Sequence, residues 1–164
     1  MGNRMPPSSG SRHRARVFVL LGLYQWLANP TKDYAGIEAH LNELIQDDGA
    51  PLDECDIDPK DFKNCDKALF EELLSGVLDK HVEIEAMITP FIDRDLSRVS
   101  LVERAILYLG TYEFMYCPQT PWRVVINESI ELAKRFGSGY RFTNAILDQV
   151  AHKVRQTEVE ADAK

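Results

Sequence analysis

The residues best suited to chemistry are four arginines at the start of the chain. They lie within residues 1–16, which contain no Asp or Glu: Arg4, Arg12, Arg14 and Arg16. His13 lies among the last three, and an apolar run, Val17–Leu21, follows directly. A guanidinium group can bind phosphate through two parallel hydrogen bonds and can stack on a base, so this basic end predicts nucleic-acid binding. The structural alternative is a disordered, solvated tail.

A second basic group lies in the C-terminal half. The segment Arg94–Arg155 carries 9 basic and 6 acidic residues, whereas Asp33–Glu85 carries 4 basic and 16 acidic ones. Basic and aromatic side chains surround one predicted joint between helices: Lys134, Arg135, Tyr140, Arg141 and Phe142. Unpaired bases stack on aromatic rings, so this combination favours single-stranded RNA binding. Ser138 could also expose helix N-terminal amides to an anion, and Phe142 could instead belong to the core, one turn before Ile146.

No motif in the sequence indicates catalysis or a metal site. A P-loop, GxGxxG, HExxH or GxSxG pattern does not occur. The four histidines fall in four separate segments, and the three cysteines form no CxxC pair. Such cysteine usage favours a reducing compartment over a disulfide framework. We therefore predict no catalytic residue, no metal and no cofactor, and we interpret the abundant carboxylates as a solvated surface.

The apolar segments are too short for a membrane span. The longest are about eight residues, against the roughly 20 that a helix needs to cross a bilayer. No small-residue cleavage site follows the first apolar run, so a secretory signal is not predicted, whereas the Arg-rich start leaves a mitochondrial presequence open. The sequence favours a cytoplasmic protein. Because the net charge is −7, nucleic acid must bind where the positive charge is concentrated.

Apolar residues recur at three- and four-residue intervals along most of the chain, which predicts an all-α protein of about seven helices. The predicted helices cover residues 12–28, 33–46, a segment around Leu69–Val77, a shorter one around Ile84–Phe91, residues 100–116, residues 120–136 and a last one from near Ser138. Of residues 101–116, 11 of 16 are apolar, so this helix is predicted to be central.

Local signals predict where these helices begin and end. Ser100 and Glu103 form a capping box at the start of the central helix. Thr120 is predicted to cap the next helix with Pro121 at its first position, and Gly137 to end it.

The sequence predicts three parts of the chain: a disordered tail (1–11), a single folded domain (12–156) and a frayed tail (157–164).

Several segments, in this order, resemble the NusB family of bacterial transcription antitermination factors. The resemblance extends from about Arg12 to Arg155. After the Arg-rich start it is carried by Leu23–Trp26 (LYQW), Phe70–Val77 (FEELLSGV), Ser100–Ala105 (SLVERA), Val125–Lys134 (VINESIELAK) with the following Phe136-Gly137, and Phe142–Asp148 (FTNAILD). The combination of the last two segments is specific.

The resemblance implies an all-α fold of two fused small helical bundles without catalytic activity. It implies a partner, NusE, the tenth protein of the small ribosomal subunit. Together the two proteins would bind the single-stranded boxA element of leader RNA, including ribosomal RNA leaders. They would help RNA polymerase to read through terminators. Some family members self-associate through the face that receives NusE, which leaves a homodimer open.

The resemblance also implies a set of site residues. RNA contacts would fall on the basic start and on the first turn of the last predicted helix: Arg12, His13, Arg14, Arg16, Arg141 and Phe142. Lys134 joins this set because of its place beside the joint. Partner contacts would fall on Tyr24 and Glu103, in the first and central helices.

Two features depart from the family pattern. His13 stands where an arginine is common, and an imidazole is a weaker permanent phosphate ligand. The joint at Ser138-Gly139 is shorter than in many members and lacks their acidic residue.

The alternatives to an antitermination factor are an RNA-binding domain related to those of RNA cytosine methyltransferases, or an interaction protein whose basic tail is a targeting signal. The RNA sequence and the role of residues 49–61 stay open.

Overall fold

The structure is a computed structural model that describes residues 9–46 and 60–163. These residues form eight α-helices and no strand, which confirms the predicted all-α fold. The helices are α1 (Ser9–Ala28), α2 (Tyr34–Gln46), α3 (Lys60–Lys63), α4 (Lys67–Ile88), α5 (Leu101–Tyr116), α6 (Trp122–Arg135), α7 (Tyr140–Val154) and α8 (Gln156–Asp162). Two short 3-10 turns, Thr89–Phe91 and Leu96–Arg98, lie between α4 and α5.

Helix α5 is the centre of the molecule, as its apolar pattern predicts. Every residue from Ala105 to Phe114 is buried, because α5 packs against α1, α4, α6 and α7. The predicted cap is present, since the Glu103 amide donates to Ser100 Oγ at 3.2 Å. Helix α5 is therefore shared by two groups of helices, α1–α4 on one side and α6–α8 on the other.

The contact between α4 and α5 depends on Gly76. A methyl group at this position would overlap the ring of Tyr112 on α5. Glycine has no Cβ, so it lets the two helices approach closely at this point.

Two predicted boundaries in the first half are wrong. Helix α1 begins at Ser9, so residues 9–11 of the predicted disordered tail are helical, and Ser11 O accepts from the Asp66 amide at 3.0 Å. The short helix predicted around Ile84–Phe91 is mostly the end of α4, since Ile84 and Ile88 are buried along the same 22-residue helix. Residues 1–8 of that tail and residues 49–59, from the segment 49–61 whose role the sequence leaves open, lie outside the described residues.

Two predictions in the second half are also wrong. Thr120 was predicted to cap α6 with Pro121 at its first position, but the helix begins at Trp122 and Pro121 is its cap residue. The residues from 157 onward, predicted to fray, belong to α8 as far as Asp162. Here Val159 is buried, and a carboxylate oxygen of Glu158 accepts from the Trp122 amide at 2.7 Å. This bond satisfies one of the amides that lack an intrahelical partner at the start of α6.

Arg155 ties α8 to the end of α5. Its buried guanidinium donates to four backbone carbonyls at 2.8–3.0 Å: Glu113, Phe114, Cys117 and Thr120. It also donates to Glu158 at 2.7 Å. The last carbonyls of a helix lack intrahelical partners and carry partial negative charge, so a cation at this place is stabilising.

Candidate nucleic-acid interface

The first turns of α1 hold Arg12 and Arg14 in a fixed place, whereas Arg4 lies outside the described residues. Arg12, His13 and Arg14 are half-buried rather than extended into solvent. The bond from the Asp66 amide to Ser11 O fastens this end of α1 to the start of α4. The basic start is therefore an ordered surface of the domain from Ser9 onward, which excludes a solvated tail for these residues.

His13 connects the start of α1 to the middle of α6. Its Nδ1 lies 2.6 Å from Glu128 Oε2, and the two side chains are 25% and 22% exposed. Lys134 is six residues further along α6, which is about 9 Å at the rise of an α-helix. The contact thus brings the N-terminal basic group close to the helix whose end carries the second one.

Arg16 is the one predicted RNA contact that the structure does not place on the surface. Its side chain and that of Glu113 on α5 are each 2% exposed, with three hydrogen bonds of 2.7–3.2 Å between them. Burial lowers the pKa of Arg16, but the hydrogen bonds and charge of Glu113 outweigh that effect and raise it above its ordinary value. Arg16 is therefore an interior ion pair between α1 and α5.

The joint between α6 and α7 is shaped by Gly137. Its φ is +70°, in the left-handed region that glycine adopts without strain. The Ser138 amide donates to Ala133 O at 2.8 Å and the Gly137 amide to Lys134 O at 3.2 Å. This is the Schellman pattern, which ends α6 and turns the chain directly into α7.

The joint presents basic and aromatic side chains together. Lys134 Nζ lies 5.5 Å from the centre of the Tyr140 ring, and Tyr140 is 39% exposed. Arg141 is exposed. The first turn of α7 has Gly139 as its cap residue and no side-chain cap, so its amides lie beside these cations. Such an arrangement can bind both a phosphate and a base.

Phe142 is partly in the core and partly on this surface. The ring packs against the buried cluster and is half-buried. Arg94, from the connection between α4 and α5, lies over the ring with its guanidinium carbon 4.9 Å from the ring centre. Phe142 therefore belongs in part to the core, its stacking on RNA stays a prediction, and Arg94 covers part of the ring that a base would need.

Two lysines beside the arginine start are candidate phosphate ligands that were not predicted from the sequence. Lys63 and Lys67 are exposed on α3 and at the beginning of α4, and Lys67 Nζ lies 3.0 Å from the centre of the Phe62 ring. Their charges were hidden within the acidic block. A signal was available, because Lys60, Lys63 and Lys67 recur at helical spacing.

The two predicted partner residues lie on helices that pack against each other. Tyr24, on α1, is 45% exposed, which is unusual for a large aromatic side chain. Glu103 is half-buried in the first turn of α5. An exposed aromatic ring is typical of protein–protein interfaces, and a carboxylate is suited to contact with a basic protein.

Nothing in the described part of the chain indicates catalysis. The residues 9–46 and 60–163 contain no cluster of His, Cys, Asp or Glu that could hold a metal ion. Burial, with the nearby charges of Glu113 and Glu72, raises the pKa of the Cys117 thiol to about 12, so it is not an activated nucleophile. No described helix combines the length and apolar character needed to cross a membrane.

Comparison with known proteins identifies close relatives. A sequence model of the NusB family matches residues 13–152. The transcription antitermination protein NusB of Ralstonia nicotianae is 41% identical over 160 residues, which cover 96% of this chain and 92% of the relative. The NusB of Thiobacillus denitrificans is 42% identical over 154 residues, covering 93% and 95%.

Solved structures have the same fold. The structure of T. maritima NusB superposes with a TM-score of 0.65 at 30% identity, covering 85% of this chain and 89% of that one. A crystal structure of the antitermination factors NusB and NusE with double-stranded RNA gives a TM-score of 0.65 at 19% identity, covering 87% and 97%. The second likeness shows the shared fold alone.

Proposed function

The chain belongs to the NusB family, and from that membership we propose that it is a non-enzymatic transcription antitermination protein. In this role it binds the single-stranded boxA element of leader transcripts, including those of ribosomal RNA, together with the ribosomal protein NusE. The complex then acts on RNA polymerase and promotes read-through of terminators. Since transcription and its RNA are cytoplasmic in bacteria, we expect the protein to be cytoplasmic.

The observation that best supports RNA binding is the contact between His13 and Glu128. It joins the basic start of α1 to α6, so that Arg12 and Arg14 lie near the middle of the helix whose end carries Lys134. We propose that these two basic groups, more than 100 residues apart in the sequence, bind phosphates of the same RNA strand. Arg16 is left out of this site because its guanidinium is occupied by Glu113.

The charge distribution explains why a basic partner is needed. The net charge is −7, and α4 exposes acidic side chains such as Glu71, Glu72, Asp79 and Glu83. This surface repels RNA and attracts a basic protein. We expect the chain alone to bind RNA weakly and the complex with NusE to bind it more tightly.

The RNA part of the proposal can be tested by fluorescence anisotropy. The full-length chain, alone and with NusE, is titrated onto labelled single-stranded RNA covering the boxA element of a bacterial ribosomal RNA leader. Contact with about three to four phosphates predicts a log–log salt slope near −2 to −3, because each phosphate on a single strand contributes roughly −0.7. Absence of binding in both forms, or a slope near zero, would contradict the proposal.

Variants locate the site on the surface. Arg14→Ala should weaken binding and reduce the salt slope by about 0.7, the contribution of one phosphate contact. Arg123→Ala is the matched control, because it removes an exposed arginine at the opposite end of α6. Equal effects of the two substitutions would indicate only a general attraction to positive charge. Deletion of residues 1–16 is unsuitable as a test, since it would also remove the buried Arg16.

The partner surface is tested separately by calorimetric titration with NusE. Tyr24→Ala removes the exposed ring on α1 and should weaken binding of NusE by about thirtyfold or more, the effect of an interface hot spot. Val124→Ala, at a 39% exposed apolar residue on α6, is the control and should leave it unchanged. If Tyr24→Ala binds NusE as the wild type does, this partner face is wrong.

A further inference from the structure

Arg94 lies outside the N-terminal arginines and the α6–α7 joint, and it contacts an aromatic ring of that joint. It lies in the connection between the two 3-10 turns that precede α5. Its guanidinium carbon is 4.9 Å from the centre of the Phe142 ring, and its side chain is 49% exposed. The side chain therefore contacts the Phe142 ring and is also accessible from solvent.

The guanidinium group is held in this orientation from two sides. Its Nε donates to Asp93 Oδ1 at 3.1 Å. The ring below it is itself fixed, because Phe142 packs against the core in the first turn of α7. Fixing a flexible side chain in advance reduces the entropy that ligand binding must overcome.

We propose that Arg94, stacked on Phe142, is a base-stacking platform of the RNA surface. This inference rests on the proposed RNA-binding function and adds a residue to it. A guanidinium plane stacks on aromatic systems, and a nucleobase presents the same kind of face as a side-chain ring. A base of single-stranded RNA then lies on the outer face of Arg94, and the order of the stack is base, Arg94, Phe142.

The charge around Arg94 separates stacking from a phosphate contact. Asp93 is 81% exposed and pairs with Arg94, so the two side chains together are close to neutral. A neutral pair attracts a phosphate weakly and releases few counterions. The contribution of Arg94 to affinity therefore depends on the planar group and depends little on salt.

The joint contains a second arrangement of the same kind. Lys134 Nζ lies 5.5 Å from the centre of the Tyr140 ring, at the start of the same helix as Phe142. Here the cation is a compact ammonium without a planar face. The two arrangements thus divide the tasks, since Lys134 is suited to a phosphate and Arg94 to a base.

The decisive substitution is Arg94→Lys, because it keeps the positive charge and removes the plane. Binding is measured by anisotropy with the full-length chain and NusE, on single-stranded RNA covering the boxA element of a bacterial ribosomal RNA leader, at several salt concentrations. We expect Arg94→Lys and Arg94→Ala each to weaken binding by about fivefold or more, at the low end of base-stacking effects. The salt slope of Arg94→Lys, which keeps the charge of the pair with Asp93, should stay at the wild-type value.

A matched control exists elsewhere in the chain. The guanidinium carbon of Arg123 lies 5.3 Å from the centre of the Trp122 ring, and its Nε donates to Asp162 at 3.1 Å. Arg123 therefore has the same kind of neighbours as Arg94, but it lies far from the α6–α7 joint. Arg123→Lys should leave RNA binding unchanged. Melting temperatures of all variants show that losses of affinity do not come from unfolding.

Each other outcome overturns the inference. If Arg94→Lys binds as tightly as the wild type, Arg94 acts through charge or not at all. If Arg94→Lys binds RNA more weakly and its salt slope is also smaller by about 0.7, the wild-type guanidinium contacts a phosphate. In both cases wild-type binding and the effect of Arg14→Ala would persist, so the proposed function would stand. If the wild-type complex itself does not bind this RNA, the proposed function fails first.

Discussion

The substitution Arg16→Met tests the buried ion pair between Arg16 on α1 and Glu113 on α5. Methionine fills part of the same space with an unbranched apolar side chain. The substitution therefore leaves Glu113 buried without its partner. The pair is 2% exposed on both sides and makes three hydrogen bonds. We expect the free energy of unfolding to fall by about 3–5 kcal/mol, the usual cost of breaking a buried ion pair from one side.

The assay is urea unfolding with a thermal melt alongside. For a domain of this size, that loss corresponds to a decrease in melting temperature of about 6–20 °C. The double variant Arg16→Met with Glu113→Met should recover most of the stability, because apolar replacement of a whole buried pair is often neutral or stabilising. RNA affinity per folded molecule should stay at the wild-type value in both variants.

The opposite result would refute this reasoning. If Arg16→Met is as stable as the wild type and binds RNA more weakly, the guanidinium of wild-type Arg16 contacts the RNA. The buried ion pair would then be wrong. Arg14→Ala serves as the matched comparison, since it should lower RNA affinity with little effect on stability.

Three further results are expected. Arg155→Met should lower the free energy of unfolding by about 2–4 kcal/mol in urea titrations, because it removes hydrogen bonds to several buried carbonyls; an unchanged stability would contradict the role of α8. Gly76→Ala should cost about 1–3 kcal/mol by the same measurement, because the methyl group meets the Tyr112 ring, and wild-type stability would contradict this packing. Glu128→Gln should strengthen RNA binding about twofold to fivefold at low salt, since it removes a negative charge beside the basic start; weaker binding in the anisotropy assay would contradict the placement of that surface.

Much of the fold follows from local patterns. Helix α5 was predicted from its apolar density and from the cap at Ser100, and both depend on residues close in sequence. Gly137 likewise marks the end of α6 because the left-handed conformation is a property of that residue. These features need no knowledge of distant contacts.

Other elements depend on distant contacts that a local pattern does not show. Helix α8 contains few apolar residues and is held by the bond between Glu158 and the Trp122 amide, 36 residues away. Similarly, the partner of Arg16 lies 97 residues along the chain. A basic residue in a basic segment therefore predicts exposure, although here it is buried.

The candidate site was predicted in part. Arg12, Arg14, Lys134 and Arg141 lie on or near the surface where the charge pattern placed them. Arg94 could not be found in the same way, because it lies next to two acidic residues and its relation to Phe142 arises only when the α4–α5 connection folds over α7. Their role in RNA binding stays a prediction until it is measured.

The most direct test of the central claim is read-through during transcription in vitro. The template carries a boxA leader ahead of a terminator, and the reaction contains bacterial RNA polymerase, NusE and the other antitermination factors. Addition of this chain should increase the fraction of full-length transcript. The chain with both Arg12→Ala and Arg14→Ala should increase it less, and a template without boxA should not respond. Equal read-through with and without the chain would contradict the account.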